Sequence, residues 1–208
     1  MSDPVQLYPT DSFGPDYLAQ FNDVLDRFLP AAPGRILEWG AGYTTIELLK
    51  RLDDLGCRLF VTVDDNPEYM QEVLKGSDPR PWFRPVCEGL IGPRAGQEDP
   101  EVAYSTCPLM FADKFDFIYI DGRRRMECAL IAAVLADEHT VVVLHDYRRG
   151  RYQPIRALFD IVEDGPAFRV MRPRPELLAL VGTRAPDVLA AVRAANPAYP
   201  GLVVAECR

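Results

Sequence analysis

Acids, a histidine and arginines follow directly on two apolar runs of this chain, a placement that puts chemistry at the ends of buried elements. Phe115-Asp116-Phe117-Ile118-Tyr119-Ile120 leads into Asp121-Gly122-Arg123-Arg124-Arg125, and Val141-Val142-Val143-Leu144 leads into His145-Asp146-Tyr147-Arg148-Arg149-Gly150-Arg151. A histidine beside an acid titrates near neutrality and can accept a proton from a hydroxyl nucleophile. His145 is therefore a candidate general base, with Asp121 and Asp146 as its acidic companions. A hydrogen-bonded histidine that only orients the Asp146 loop accounts for the same residues equally well. The chain's other histidine, His139, precedes the second run and reads as a turn residue. Arg123, Arg148 and Arg151 offer guanidinium forks that grip carboxylate or phosphate bidentately, so the expected substrate is a small anionic molecule. A solvated, charged helix face is the competing account of residues 123 to 125.

A third cluster lies upstream. Arg35-Ile-Leu-Glu-Trp-Gly-Ala-Gly-Tyr-Thr44 reads as a buried strand ending in an acid, Glu38, that turns through Gly40, Ala41 and Gly42 into a helix. Glycines at such a turn let a ligand approach the backbone, and the first helical amides are unpaired. A dinucleotide fingerprint has an apolar residue before its first glycine and a third glycine at the helix start. Here Glu38 precedes Gly40, and Thr45 stands where that third glycine would be. A carboxylate pointing into the cradle repels pyrophosphate and suits a cationic ligand bearing an ammonium and a sulfonium. The fourth cluster is Asp64-Asp65-Asn66-Pro67, after Leu59-Phe60-Val61-Thr62-Val63 and 24 residues past Gly40. An acid there can accept hydrogen bonds from both ribose hydroxyls of a nucleoside, the role assigned to Asp64 with Asp65 beside it. Asp65 or Asn66 before Pro67 would also cap a helix.

The elements that must position these clusters can be read from periodicity. Phe13, Tyr17, Leu18, Phe21, Val24, Leu25, Phe28 and Leu29 share one helical face in an N-terminal helix over 13–29. Strands are then expected at 35–39, 58–63, 83–87, 115–120 and 140–145, and helices at 43–55, 67–75, 124–136 and 152–163. Such alternation specifies a parallel sheet covered by helices on both faces. Runs at 167–172 and 176–182, joined by Pro173-Arg174-Pro175, predict a closing antiparallel hairpin. The fold class is thus α/β, a three-layer Rossmann-like sandwich with a mainly parallel seven-stranded sheet. Residues 1–208 are expected to form one domain, with a core at 35–182 and a C-terminal extension at 185–208 that adds a helix at 186–195. Residues 76–111, rich in Pro, Gly and charge, predict an irregular excursion near the site. Trp39, Tyr43, Trp82, Phe83 and Tyr119 could form an adenine slot or simply belong to the core, and Glu88 could meet the adenine edge.

Bulk composition narrows the partners. The 208 residues are 48% hydrophobic and 26% charged, which suits one sizeable core. A net charge of −8 argues against nucleic acid or an anionic membrane as partner. Five widely spaced cysteines without a C-x-x-C pair predict free thiols. No signal peptide or apolar span of about 18 residues occurs, so a cytoplasmic location is expected. The oligomeric state stays open, a homodimer included.

Taken together, the clusters resemble those of the class I, Rossmann-like S-adenosylmethionine (SAM) dependent methyltransferases. Glu38-Trp-Gly-Ala-Gly resembles their E-x-G-x-G motif I, with Thr44 at the usual third glycine. The run Val63-Asp-Asp-Asn-Pro-Glu-Tyr69 looks like the second-strand motif of one branch. Asp121-Gly-Arg with His145-Asp-Tyr is similar to a group of methyltransferase-like proteins. The resemblance implies a SAM-dependent methyltransferase, most simply an O-methyltransferase, with Glu38, Gly40, Ala41, Gly42, Asp64, Asp65 and Asp121 at the cofactor. More loosely, sugar and catechol O-methyltransferases hold a divalent metal on strand-end acids matching Asp121 and Asp146. That ligand set is incomplete here, because His145 and Tyr147 flank Asp146, and no metal is assigned. A catalytically silent, nucleoside-binding or regulatory protein of this type is the alternative, and a nicotinamide-dependent oxidoreductase is disfavoured by Glu38.

Overall fold

The computed structural model describes residues 16–88, 100–112 and 114–182. The expected helix at 186–195 and the rest of the C-terminal extension lie outside the described residues, as do 13–15 of the first helix. Five strands, β1 (Arg35–Trp39), β2 (Leu59–Asp64), β3 (Phe83–Cys87), β4 (Phe117–Ile120) and β5 (Val141–His145), are parallel. β6 (Phe159–Asp164) and β7 (Phe168–Pro173) complete one seven-stranded sheet, in the order β3-β2-β1-β4-β5-β7-β6, with β7 antiparallel to both neighbours. Six α-helices are described: α1 (Tyr17–Phe28), α2 (Tyr43–Leu52), α3 (Pro67–Leu74), α4 (Pro100–Thr106), α5 (Arg125–Val134) and α6 (Pro175–Gly182). Two 3₁₀ helices lie at Cys107–Met110 and Gly150–Ala157.

The apolar runs follow from burial on both faces of the sheet. Ile36, Phe60, Phe117 and Val141 pack with Phe21 of α1 and Leu48 of α2, while Leu37, Val61, Ile118 and Val142 pack with Tyr104 of α4 and Ala132 of α5. A parallel sheet sandwiched in this way leaves its central strands no solvent face. The strand order reverses between β1 and β4, and the crevice outside the carboxyl ends of these strands is where an open α/β sheet takes ligands. All four chemistry-bearing clusters sit at those carboxyl ends.

Two expectations are corrected. The segment 152–163 is not a helix: its first half is the 3₁₀ helix with Pro154 inside it, and its second half is the edge strand β6. Pro154 denies an α-helix one backbone donor, and the apolar spacing of Tyr152, Ile155, Phe159 and Val162 imitates a helical face although Val162 is exposed beside a bulge. The closing hairpin is consequently β6–β7, turning through Gly165-Pro166-Ala167, and not 167–172 with 176–182. Residues 176–182 form α6 instead. A short apolar run does not distinguish strand from buried helix by period, and Pro175 at the first helical position favours the helix.

Candidate functional site

A cavity of about 630 Å³ opens at the carboxyl ends of β1, β2, β4 and β5. Its lining includes Gly40, Ala41, Asp64, Asp65, Asn66, Tyr69, Asp121, Gly122, Arg123, Arg125, His145, Asp146 and Arg149.

The glycine turn after β1 does two different things. Gly40 has φ +96°, and a Cβ there would lie 2.5 Å from the backbone nitrogen of Gly122. The loops after β1 and β4 thus touch backbone to backbone: the amides of Asp121 and Gly122 both donate to the Trp39 carbonyl, at 2.8 and 2.7 Å. Gly42 is different. Its φ of 173° is open to any residue, and the nearest atom to an added Cβ is the Tyr69 hydroxyl at 3.5 Å. Among the described residues no packing demands a glycine at 42, and the bare backbone there keeps space free beside Tyr69.

Glu38 departs from its expected place. It is fully buried beneath the turn and is not part of the cavity lining. Its carboxylate accepts from Thr44 at 2.7 Å, Thr45 at 2.6 Å and Thr62 at 2.7 Å. Thr45 in turn accepts the Gly42 amide at 2.9 Å. Glu38 therefore ties the turn to the first turn of α2 and to β2, and Thr44 and Thr45 occupy the positions of the missing third glycine because they are its hydroxyl partners. Burial pushes the Glu38 carboxyl up to about 7, against the pull of the three hydroxyls.

Asp64, at the end of β2, does reach the cavity. Its two oxygens accept from the amides of Ala41 at 3.0 Å and Asn66 at 2.9 Å, which locks the side chain between the glycine turn and the start of α3. A carboxylate has about four acceptor positions, so capacity remains for ligand hydroxyls. Burial raises its pKa to about 6. Asp65 lies beside it, 3.6 Å from Arg123, and Asn66 caps α3 by accepting the Tyr69 amide at 2.9 Å.

Across the cavity a buried polar network joins three elements. His145 Nδ1 lies 2.6 Å from Asp121 Oδ1, and the hydroxyls of Tyr17 and Tyr119 both donate to Asp121 Oδ2 at 3.0 Å. The His145 ring packs edge-on against Tyr17 with centroids 5.0 Å apart. Burial alone would raise the Asp121 carboxyl, yet the His145 hydrogen bond, the charges of His145 and Arg125 and the Tyr119 hydroxyl hold it below its ordinary range. Arg125 fastens the site's walls together: its guanidinium donates to the carbonyls of Asp121, Gly122 and His145 at 2.7, 3.0 and 2.6 Å. Asp146 has φ +58°, a left-handed conformation that a non-glycine residue seldom adopts, and it pairs with Arg149.

The arginines sort differently from expectation. Arg148 does not line the cavity; it stacks on Tyr147 and donates to its hydroxyl at 3.1 Å. Arg149 takes the cavity position instead. Arg123 lines the cavity, and Arg151 stands in a smaller cavity next to it. None of the five candidate adenine-slot aromatics is in the lining; Trp39 and Tyr119 are fully buried, and the ring facing the cavity is Tyr69 of α3. Tyr17 and Tyr69 are the residues to which sequence reading gave no site role, and Arg125 and Arg149 belong to the strand-end arginine cluster without having been singled out within it. Tyr69 had a local signal, being one turn into the helix that starts after Asp64.

Asp121 and Asp146 do not suit a divalent cation, since the Arg125 guanidinium lies 2.8 and 3.5 Å from their carboxylates. Among the described residues no group of three or more His, Cys, Asp or Glu could hold a metal ion, and no helix is long and apolar enough to cross a membrane.

No protein-family model matches the sequence, and no curated protein matches it. Solved structures do. A methyltransferase-like protein from Silicibacter pomeroyi superposes with a TM-score of 0.56 at 17% identity, covering 88% of this chain and 96% of its own. The chain has the class I SAM-dependent methyltransferase fold. The methyltransferase fold is shared with cofactor-bound Rv0187 from MTB, at TM-score 0.54 and 20% identity, over 75% of this chain and 80% of that one. CalS11, a TDP-rhamnose 3′-O-methyltransferase of calicheamicin biosynthesis, has it too, at TM-score 0.52 and 16% identity, over 74% of this chain and 79% of its own. One methyltransferase fold serves many acceptors, so the acceptor must be argued from the site.

Proposed function

We propose that the protein is a SAM-dependent methyltransferase acting on a small anionic molecule, most simply at oxygen. The observation that carries this reading is the two-sided cavity: a bare glycine turn with the Asp64 carboxylate on one wall, and the Asp121–His145 pair on the other. Asp64 and Asp65 face the ribose hydroxyls, Gly40 and Ala41 present the backbone of the turn to the cofactor, Gly42 leaves room beside them, and Tyr69 offers a ring. Glu38 serves the cofactor site indirectly, by holding the turn in shape. SAM supplies a methyl group on a sulfonium, an electrophile that needs chiefly in-line positioning of its acceptor. The residues across the cavity prepare that acceptor. With Nδ1–H directed to Asp121, the His145 Nε2 lone pair is left to take the acceptor's hydroxyl proton, as the tautomer assigned from the hydrogen bond requires. Asp121 orients the ring and stabilises the imidazolium that results.

A non-catalytic, nucleoside-binding role is favoured by one observation, the burial of His145, which is only 7% exposed. Calorimetric titration with SAM, S-adenosylhomocysteine and NAD tests the cofactor. Binding of the first two and not NAD, weakened at least tenfold in Asp64→Ala, about 1.4 kcal/mol, is expected. No binding of either adenosyl compound would overturn the reading. A His145→Ala protein should bind SAM normally and transfer no methyl group; retained turnover would leave His145 a structural residue.

A further inference from the structure

A second cavity of about 390 Å³ adjoins the first and shares Gly122, Arg123, Arg125 and Arg149 with it. Arg124, Arg151 and Tyr152 extend its wall, and among the described residues Glu127 is the one carboxylate in the lining. A concentration of guanidinium groups of this kind is out of keeping with a chain of net charge −8. Some of the charge is spoken for: Arg124 pairs with Glu127 at 3.0 Å, Arg149 pairs with Asp146, and Arg125 is bound to three carbonyls. Arg151 is not. Among the described residues no carboxylate lies within ion-pair distance of it, and it is held at the cavity wall by the Tyr152 ring, 4.8 Å away. Arg125 lies 5.5 Å from the same ring, so Tyr152 carries two guanidinium groups. The start of α5 lies in this wall. Cations at the positive end of a helix repel its dipole, and an anion seated there would relieve both.

We infer that the smaller cavity is an oxyanion site whose cationic anchor is Arg151, and that it holds the carboxylate or phosphate end of a small acceptor. Because the two cavities share a wall, such a molecule is elongated, with its hydroxyl at His145 and its anion at Arg151. The oxyanion site stands by itself; naming its occupant the acceptor rests on the methyl-transfer reading above. A polyanion such as RNA is disfavoured by the overall negative charge.

Titration of the full chain with inorganic phosphate and, separately, acetate, at constant low ionic strength and followed by arginine Nε–Hε NMR signals, tests the site. Saturable one-to-one phosphate or acetate binding is expected, the tighter of the two naming the chemistry. Arg151→Gln should weaken it at least tenfold and Arg151→Lys by less, since lysine keeps the charge and loses the fork. SAM affinity, measured on the same samples, should be the same in all three proteins. Phosphate binding that follows Arg151 in a protein that fails to bind SAM would uphold the oxyanion site and remove only the methyl-transfer reading. Absence of saturable binding of both anions, or equal binding in Arg151→Gln, would overturn it. So would single-stranded RNA that displaces phosphate with the steep salt dependence of many phosphate contacts.

Discussion

Gly40 and Gly42 stand two residues apart in one turn and answer to different physics. Gly40 is required by the fold, since its left-handed φ and its approach to Gly122 leave no room for a side chain. Gly42 is not required by any contact among the described residues. Gly40→Ala should therefore lower stability by about 2 kcal/mol or more, from backbone strain together with a main-chain clash, whereas Gly42→Ala should change it by less than about 1 kcal/mol. Chemical denaturation of the two variants checks the difference, and calorimetry should show Gly42→Ala binding SAM more weakly despite its intact fold. Equal destabilisation of both would mean that the turn packs as a unit. Residue types at 38, 40, 42, 64, 121 and 145 were all legible as chemistry. Their directions were not: nothing in the local sequence said that Glu38 would be consumed by three threonine hydroxyls, because Thr62 comes from another strand.

At the scale of elements, α1 does more than cover the sheet. Its Tyr17 hydroxyl reaches Asp121, and Phe21 packs against Tyr119 and Phe168 with ring centroids at 4.8 and 5.6 Å. α1 thus braces the His145 wall from behind. Phe21 is fully buried, and Phe21→Ala should cost about 3–5 kcal/mol and lower Tm by roughly 6–20 °C in a chain of this size. A thermal melt checks this, and a loss under about 1 kcal/mol would show α1 to be loosely docked. The apolar period of α1 announced a helix with a buried face, yet it gave no hint that Tyr17 would be part of a polar network. β6 and α6 were misread for the opposite reason. Both are short, and an exposed edge strand with a bulge has no alternation to detect, while an eight-residue apolar helix has too few turns to display its period.

Across the whole molecule, two buried acids set the response to pH. The Glu38 and Asp64 carboxyls are raised by burial to about 7 and about 6, above their unfolded values near 4.5 and 3.8. The native state therefore binds more protons than the unfolded chain between these limits, and stability falls as pH rises through them. That contribution is complete below about pH 4 and gone above about pH 7, with a size on the order of 3 kcal/mol for each carboxyl. Urea unfolding from pH 5 to 8 should show the decline, and Glu38→Gln should flatten it; an unchanged slope would place the cause elsewhere. SAM affinity should run the other way, dropping as pH falls through about 6, because a protonated Asp64 accepts hydroxyl hydrogen bonds poorly. The sequence by itself determined the alternation of elements, the parallel sheet with its antiparallel finish, and the four clusters at strand ends, since each depends on spacing and on burial that repeats locally. Only the tertiary structure decided which carboxylate faces ligand, that Arg149 and not Arg148 enters the cavity, and that Tyr17 and Arg125 join the site. Those outcomes depend on contacts between residues far apart in the chain, such as Tyr17 with Asp121 across a separation of 104 positions, and local pattern carries no record of such contacts.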